Sequence, residues 1–274
     1  MFDNLKKYKY FFREFCYFVP RAIYRLLRPL NDRNPEMVRR NYDLRYQTAR
    51  QMFRRNKVEL NDFLFNNGEA NEWILIDNKT DLGRIGDIYK SFVPNLDKYL
   101  SEYLEVPGNT IVEFGCGNGR NLLYLKSRYP KINFIGLEIS EEGVTLAREI
   151  AKAYSLDIEY RVGDLTKGKD LGLKADIAFT VHALEQMPRI FSQTVANMAK
   201  ISGGKIILFE PVPDLYPWWS TRGLTARARA IVIDHVRNVL PTLKLSGFVI
   251  DEARRLGVGS PLTETCVVRA RVVG

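Results

Sequence analysis

Ile111-Val112-Glu113-Phe114-Gly115-Cys116-Gly117-Asn118-Gly119-Arg120 is the stretch on which the fold of this chain turns. A short apolar strand runs into a loop with glycines at 115, 117 and 119, and a helix is expected from there on. Glycine has no Cβ, so the backbone can pass close to a ligand. The same residues permit the tight strand-to-helix turn. Two ligands compete for such a loop. A dinucleotide site uses GxGxxG and places its pyrophosphate on the helix N-terminus. Here the spacing is GxGxG, and Glu113 stands two residues before the first glycine. A carboxylate repels a pyrophosphate but attracts an ammonium group. The loop therefore favours an aminoacyl nucleoside.

Working outward, strands and helices alternate. Strands are expected at 110–114, 132–137, 157–162, 175–181 and 204–210, and helices at 119–129, 140–154, 184–200 and 225–244. Regular β-α alternation argues for a mostly parallel sheet with helices on both faces. The end differs. Phe248 to Leu256 and Thr265 to Val273 read as consecutive strands joined by a Gly-Ser-Pro loop, which adds an antiparallel strand. Ahead of the core, residues 5–30 carry apolar residues at helical spacing, with Pro20 expected to kink or divide the helix. Residues 36–57 read as a very basic helix, and short helices are expected near 59–66 and 87–104. Pro107-Gly108-Asn109 is a turn. These boundaries give a basic amphipathic extension (1–57), a helical lid or linker (58–107) and a binding domain (108–274).

Two further acids close strands. Glu138 ends Phe134-Ile135-Gly136-Leu137-Glu138, at the offset where α/β nucleoside sites hold ribose hydroxyls. Asp164 follows the third strand and can accept from an exocyclic amino group. Alone, Glu138 could cap the helix starting near Ser140, and Asp164 could simply make a turn. In series at three strand ends, where open sheets bind ligands, they point to one site.

On these residues, 110–210 resembles the class I S-adenosylmethionine-dependent methyltransferase family. The resemblance implies a Rossmann-like α/β fold with a seven-stranded sheet in the order 3-2-1-4-5-7-6, strand 7 antiparallel. It places Glu113, Gly115, Gly117 and Gly119 around the methionine part of S-adenosyl-L-methionine. It assigns Glu138 to the ribose and Asp164 to the adenine, with Asn118, Ile139, Leu165 and Val181 also in the cofactor site. Residues near 181–186 would line the cofactor and the methyl-transfer position, with S-adenosyl-L-homocysteine as product. The likeness does not reach residues 1–100.

A base is needed only if the acceptor must lose a proton. His182, after the fourth strand, is the candidate; the even alternative is a rim histidine that orients a loop or packs on adenine. Glu185 comes second, and reads more readily as an exposed first-turn acid. His235 is expected on a helix, in a structural role. The loop Glu210-Pro211-Val212-Pro213-Asp214-Leu215-Tyr216-Pro217-Trp218-Trp219 is expected to wall an acceptor pocket, or to pack as a lid on the N-terminal helices. Arg222, Arg227 and Arg229 could hold a phosphate or be solvated. No Asn/Asp-Pro-Pro-Tyr/Phe motif follows the fourth strand, which disfavours methylation of a base or glutamine amino group.

The net charge is +9, with 15 Lys+Arg against 5 Asp+Glu in residues 1–57. The remainder has 26 against 27, so all the excess positive charge lies in the first fifth. Such asymmetry suggests an anionic partner. Three cysteines without CxxC spacing argue against a disulfide framework, and with two histidines against a metal site. No apolar run is long enough to span a membrane, and arginines interrupt the N-terminal run too often for a signal peptide. The basic aromatic helix may be read three ways: on an anionic membrane surface, on RNA, or as a lid with a solvated basic face. The membrane is preferred and nucleic acid is disfavoured. The expectation is O-methylation of a cell-envelope glycan or lipid-linked saccharide by a cytoplasmic enzyme peripheral to the inner face of the membrane. The alternatives are a soluble small-molecule methyltransferase, then an RNA or protein methyltransferase, or a non-catalytic cofactor-binding subunit. The acceptor and the oligomeric state stay open.

Overall fold

A computed structural model describes residues 2–27, 35–56, 58–65, 71–164, 172–187 and 191–272. From the amino end come α1 (Phe2–Leu27), α2 (Pro35–Arg55) and α3 (Leu60–Phe65). A hairpin of β1 (Glu72–Ile76) and β2 (Lys79–Gly83) follows, then α4 (Ile85–Leu104). The alternating part runs β3 (Thr110–Phe114), α5 (Arg120–Arg128), β4 (Asn133–Glu138), α6 (Glu141–Ala153), β5 (Glu159–Val162) and β6 (Ile177–Val181). It continues with α7 (Phe191–Ile201), β7 (Lys205–Glu210), α8 (Thr221–Val232) and α9 (Val239–Leu245), and ends in β8 (Phe248–Ser260) and β9 (Thr263–Val272).

One mixed sheet has the order β2-β1-β8-β9-β7-β6-β3-β4-β5. Strands β3 to β7 are parallel, and β9 lies antiparallel between β7 and β8. The run from β5 to β8 reproduces the expected order 3-2-1-4-5-7-6. The sheet has nine strands, however, not seven. The extra pair is the hairpin, inside a segment read as helical from its composition. Asp77 and Asn78 sit at φ 49° and 63°. Two such residues make the hairpin turn whose twist matches paired strands. The tip is tied to β8 by the Asn78 N–H, which donates to the Gly257 carbonyl at 3.1 Å.

Alternation along β3 shows why both faces are covered. Ile111 faces a core built with Leu96, Leu100, Leu123 and Ile150 from α4, α5 and α6. Val112 faces the other, with Val195, Met198 and Leu243 from α7 and α9. Successive strand residues point to opposite faces, and a parallel sheet is buried on both. A third cluster joins Phe18 and Ala22 of α1 to Tyr216 and to Ala226 and Ala228 of α8.

Three helices depart from expectation. The stretch 225–244 is two helices, broken at a turn in which Asp234 and Asn238 take left-handed backbone conformations. His235 therefore lies in that turn, not on a helix. The stretch 184–200 begins as a one-turn 3-10 helix at Leu184–Gln186 before α7. Pro20 does not divide α1, which runs through it.

Candidate active site

The acids and glycines read from sequence converge at the carboxyl ends of the parallel strands, where open α/β sheets bind ligands. A cavity of about 380 Å³ is lined there by Glu113, Gly115, Gly117, Asn118, Glu138, Ile139, Asp164, Val181 and His182, among others. That volume suits a small organic ligand. Gly119 does not line it; it sits at φ 78° as the residue that starts α5. Leu165 lies outside the described residues.

Glu113 is the most informative of the lining residues. Asn121 Nδ2 donates to its Oε1 at 2.6 Å. Its Oε2 is buried with no partner among the described residues. Burial pushes the carboxyl up to about 8, against the Asn121 hydrogen bond, with the nearby Glu138 adding to the rise. A buried, unpartnered carboxylate oxygen on a cavity wall is a vacant place for a cation. Glu138 accepts from the Gly117 N–H through Oε2 and the Ser140 N–H through Oε1, both at 3.0 Å. Each oxygen keeps a lone pair for a ligand hydroxyl. The helix cap belongs to Ser140, whose Oγ accepts from the Gly143 N–H at 3.0 Å. Gly117 is held at φ 57°, in the left-handed region that a side chain strains.

The far wall comes from helices that sequence reasoning did not assign to the site. Tyr42 and Tyr46, one turn apart on α2, stack with ring centroids 5.8 Å apart and face the cavity. Asp43 meets the Ser140 hydroxyl, and the Gln186 amide meets the Tyr42 hydroxyl. Arg50 pairs with Glu142 at 3.1 Å and Glu149 at 2.7 Å, so α2 is fastened to α6. Tyrosines four residues apart were the available signal, but the arginines around them drew attention first. Arg120 adds a cation to the wall. It lies 3.7 Å from the Tyr89 ring centroid, donates to the Leu64 carbonyl, and has no acidic partner among the described residues.

His182 stands on the rim at φ 53°. Its N–H donates to the Phe209 carbonyl at 2.9 Å. Its ring is engaged at both nitrogens: Nε2 with Thr265 Oγ1 at 2.8 Å and Nδ1 with Glu185 at 3.3 Å. Burial disfavours the imidazolium, but Glu185 and Glu210 outweigh it and raise the ring above its ordinary 6.5. Glu185 is not an exposed helix acid. It is largely buried between His182 and His235, whose Nδ1 is 3.9 Å away. Glu210, closing β7, accepts from the N–H groups of Ala183, Leu184 and Glu185 and so fixes this turn.

Of the two roles expected for the loop after β7, the structure shows packing on the N-terminal helices. None of residues 211–219 lines the cavity. Val212 and Tyr216 are buried, and Tyr216 packs beside α1, while Trp218 and Trp219 are exposed. The following arginines serve the fold. Arg222 pairs with the fully buried Glu264 at 2.7 Å, and Arg227 donates to the Tyr216 carbonyl. Arg229 sits 5.9 Å from the Phe18 ring centroid.

Comparison with known proteins agrees with this geometry. Residues 111–202 match a family model described as a methyltransferase domain. Over 63 residues, 22% of the chain, the sequence is 27% identical to the methyltransferase ungE' of Aspergillus campestris, and the match spans 18% of that protein's length. Magnesium protoporphyrin IX methyltransferase (ChlM) from Synechocystis PCC 6803, solved with bound SAH, is 16% identical with a TM-score of 0.59. The likeness covers 88% of this chain and 100% of that one. The cyclase SpnF is 15% identical, covering 84% and 97%, with a TM-score of 0.54. Likeness at these identities establishes the fold. Glu113, Glu138 and Asp164, which line one cavity, are acceptors of the kind an aminoacyl nucleoside would need. Residues 111–202 thus match a methyltransferase domain, set in the fold of structures solved with bound S-adenosylmethionine or its product.

Proposed function

We propose that this protein transfers the methyl group of S-adenosylmethionine to a hydroxyl oxygen of a cell-envelope glycan or lipid-linked saccharide, at the cytoplasmic surface of a membrane. The observation that carries the cofactor half is the buried Oε2 of Glu113, unpartnered beside Glu138. When bound, S-adenosylmethionine supplies an electrophilic sulfonium methyl; the S–CH₃ bond breaks, an O–CH₃ bond forms, and S-adenosylhomocysteine is left. Glu113 holds the ammonium, Glu138 accepts from both ribose hydroxyls, and Asp164 accepts from the adenine amino group. Arg120, a wall cation without an acidic partner among the described residues, takes the carboxylate. Positioning accounts for much of such a displacement. His182 takes the acceptor's proton at Nε2 once Thr265 yields that nitrogen, with Glu185 stabilising the imidazolium.

The membrane half is supported by α1, which is basic and leaves apolar residues exposed. Among the described residues no helix is long and apolar enough to cross a membrane, so association would be peripheral. A soluble small-molecule acceptor is the second reading. It is favoured by likeness along the whole length of ChlM, a magnesium protoporphyrin IX methyltransferase.

Calorimetric titration with S-adenosylmethionine and S-adenosylhomocysteine, beside Gly117→Arg, tests the cofactor. Micromolar binding that the variant loses is expected; a folded wild type that binds neither ends the proposal. Labelled methyl transfer into a lipid-extractable saccharide fraction, compared with a small-metabolite fraction, then separates the two acceptor readings.

A further inference from the structure

We infer that α1 seats the protein on an anionic lipid leaflet through one defined face, while the neighbouring face stays packed on α8. The inference rests on the membrane-side reading above and supplies the surface that reading needs.

The helix has three faces. Phe11, Phe18 and Ala22 turn toward α8 and Tyr216. Leu5, Tyr8, Phe12, Ile23 and Leu26 do not: they are 51% to 67% exposed. Their spacing places them within roughly 60° of arc at 3.6 residues per turn. Tyr8 and Phe12 stack along this stripe at 6.3 Å. Lys9, Arg13 and Lys6 follow next around the helix. A helix that only covered its own domain needs no more apolar arc than it packs, and here the arc runs on past the packed residues into exposed ones. An exposed apolar stripe edged by lysine and arginine is the pattern of a helix lying in the plane of a lipid interface.

One neighbouring cleft extends the surface, and a pair of exposed tryptophans lies on the loop before α8. Between α1 and the β1–β2 hairpin lies a cleft of about 430 Å³ lined by Lys6, Lys9, Tyr10, Arg13, Trp73 and Leu82. Tyr10 stacks on Trp73 at 5.2 Å, so cationic side chains stand beside an aromatic wall. That chemistry takes a phosphate headgroup with its first methylenes. The loop leading into α8, the helix that α1 packs on, exposes Trp218 and Trp219. Tryptophan favours the headgroup level of a bilayer.

A second copy of the chain fits this face less well. A two-fold contact pairs a patch with itself, so Lys6, Lys9 and Arg13 would approach their own equivalents. Anionic lipid meets the same charges favourably.

The test is co-sedimentation of the full chain with phosphatidylcholine vesicles, with and without phosphatidylglycerol. Wild type is expected to bind only the anionic vesicles, and more weakly as salt rises. The pair Phe12→Glu/Ile23→Glu, and separately Lys6→Glu/Lys9→Glu, are each expected to weaken binding at least tenfold, with affinity for S-adenosylmethionine unchanged. Variants that bind like wild type overturn this face and leave the membrane reading to another surface. A wild type that binds no vesicle overturns the inference, while methylation of a detergent-solubilised lipid-linked saccharide would still uphold the acceptor. A dimer that Phe12→Glu/Ile23→Glu dissociates, seen by light scattering, assigns the stripe to a second copy and overturns it as well.

Discussion

Tyr46 of α2 stands against Gly117 of the glycine loop: a Cβ added to Gly117 would lie 2.7 Å from the phenolic oxygen. The same ring closes on Gly143, at the start of α6. Helix α2 therefore covers one side of the cavity, and a ligand beneath it is expected to exchange faster when α2 is loosened. Arg50 and Arg54 hold it down on Glu142 and Glu149. The Arg54 and Arg50 contacts pull the Glu149 carboxyl down to about 2, against its burial.

The expected consequence is a salt-sensitive gate. A half-exposed ion pair is worth up to about 1 kcal/mol, a factor of about five in an equilibrium. Arg50→Ala should speed release of S-adenosylmethionine by about that factor, with little change in melting temperature. Stopped-flow displacement reads it directly. Raising salt should accelerate the wild type more than the variant, in which Arg54 still pairs with Glu149. Release that ignores salt in the wild type would show that the latch does not govern exchange.

Glu113 is expected to be a binding residue held at the expense of stability. Its carboxyl titrates near 8 in the folded protein against an ordinary 4.5. Between those values the folded protein keeps a proton that the unfolded chain has lost, so stability falls as pH rises. Glu113→Gln can keep the Asn121 contact and removes this penalty. Its melting temperature should exceed that of the wild type by a margin that widens from about pH 5 to pH 8, while cofactor affinity drops at least a hundredfold. Because binding needs the carboxylate, calorimetry at pH 7 in buffers of different ionisation enthalpy should register release of about one proton. A stable variant that still binds would remove Glu113 from the site.

Arg222 tests the reading of the post-β7 arginines as braces. Glu264 is fully buried and is held by Arg222, by Arg255 at 3.4 Å and by the Gly257 N–H at 2.7 Å. Removing one partner of a buried pair costs about 3 kcal/mol. Arg222→Ala should lower the denaturation midpoint accordingly and leave cofactor affinity untouched. A variant of normal stability that lost acceptor turnover would return Arg222 to a phosphate-binding role.

What was legible in the sequence follows from the range of the interactions involved. Most of the parallel strands announce themselves as local apolar runs, and the acids Glu113, Glu138 and Asp164 stand at or beside the ends of β3, β4 and β5. The hairpin was missed because its signal is two residues long, and Asp77-Asn78 lacks the glycine that usually marks such a turn. The break in 225–244 depends on left-handed Asp234 and Asn238, which helical periodicity does not register. Tyr42 and Tyr46 reach the cavity only because α2 is bound to α6, a contact between residues 92 to 99 positions apart. Composition made the Pro- and Trp-rich loop look like a pocket wall. It says nothing about which way Tyr216 turns, and Tyr216 turns toward α1.

The rim histidine offers the sharpest separation of chemistry from architecture. His182 acts as a base only when neutral, and Glu185 and Glu210 raise its pKa above 6.5. The acidic limb of kcat/KM should therefore lie above that value, with activity rising as pH increases through it. Glu185→Gln removes one of the charges responsible, so the limb should move to lower pH while the plateau falls. His182→Gln should lower kcat by about a hundredfold or more, the usual worth of a positioned base. Affinity for S-adenosylmethionine should hold in both. The readout is release of S-adenosylhomocysteine with a membrane extract as acceptor source. A histidine that merely orients the turn through Thr265 would give a different result: reduced activity in His182→Gln, but a pH limb that Glu185→Gln leaves where it was.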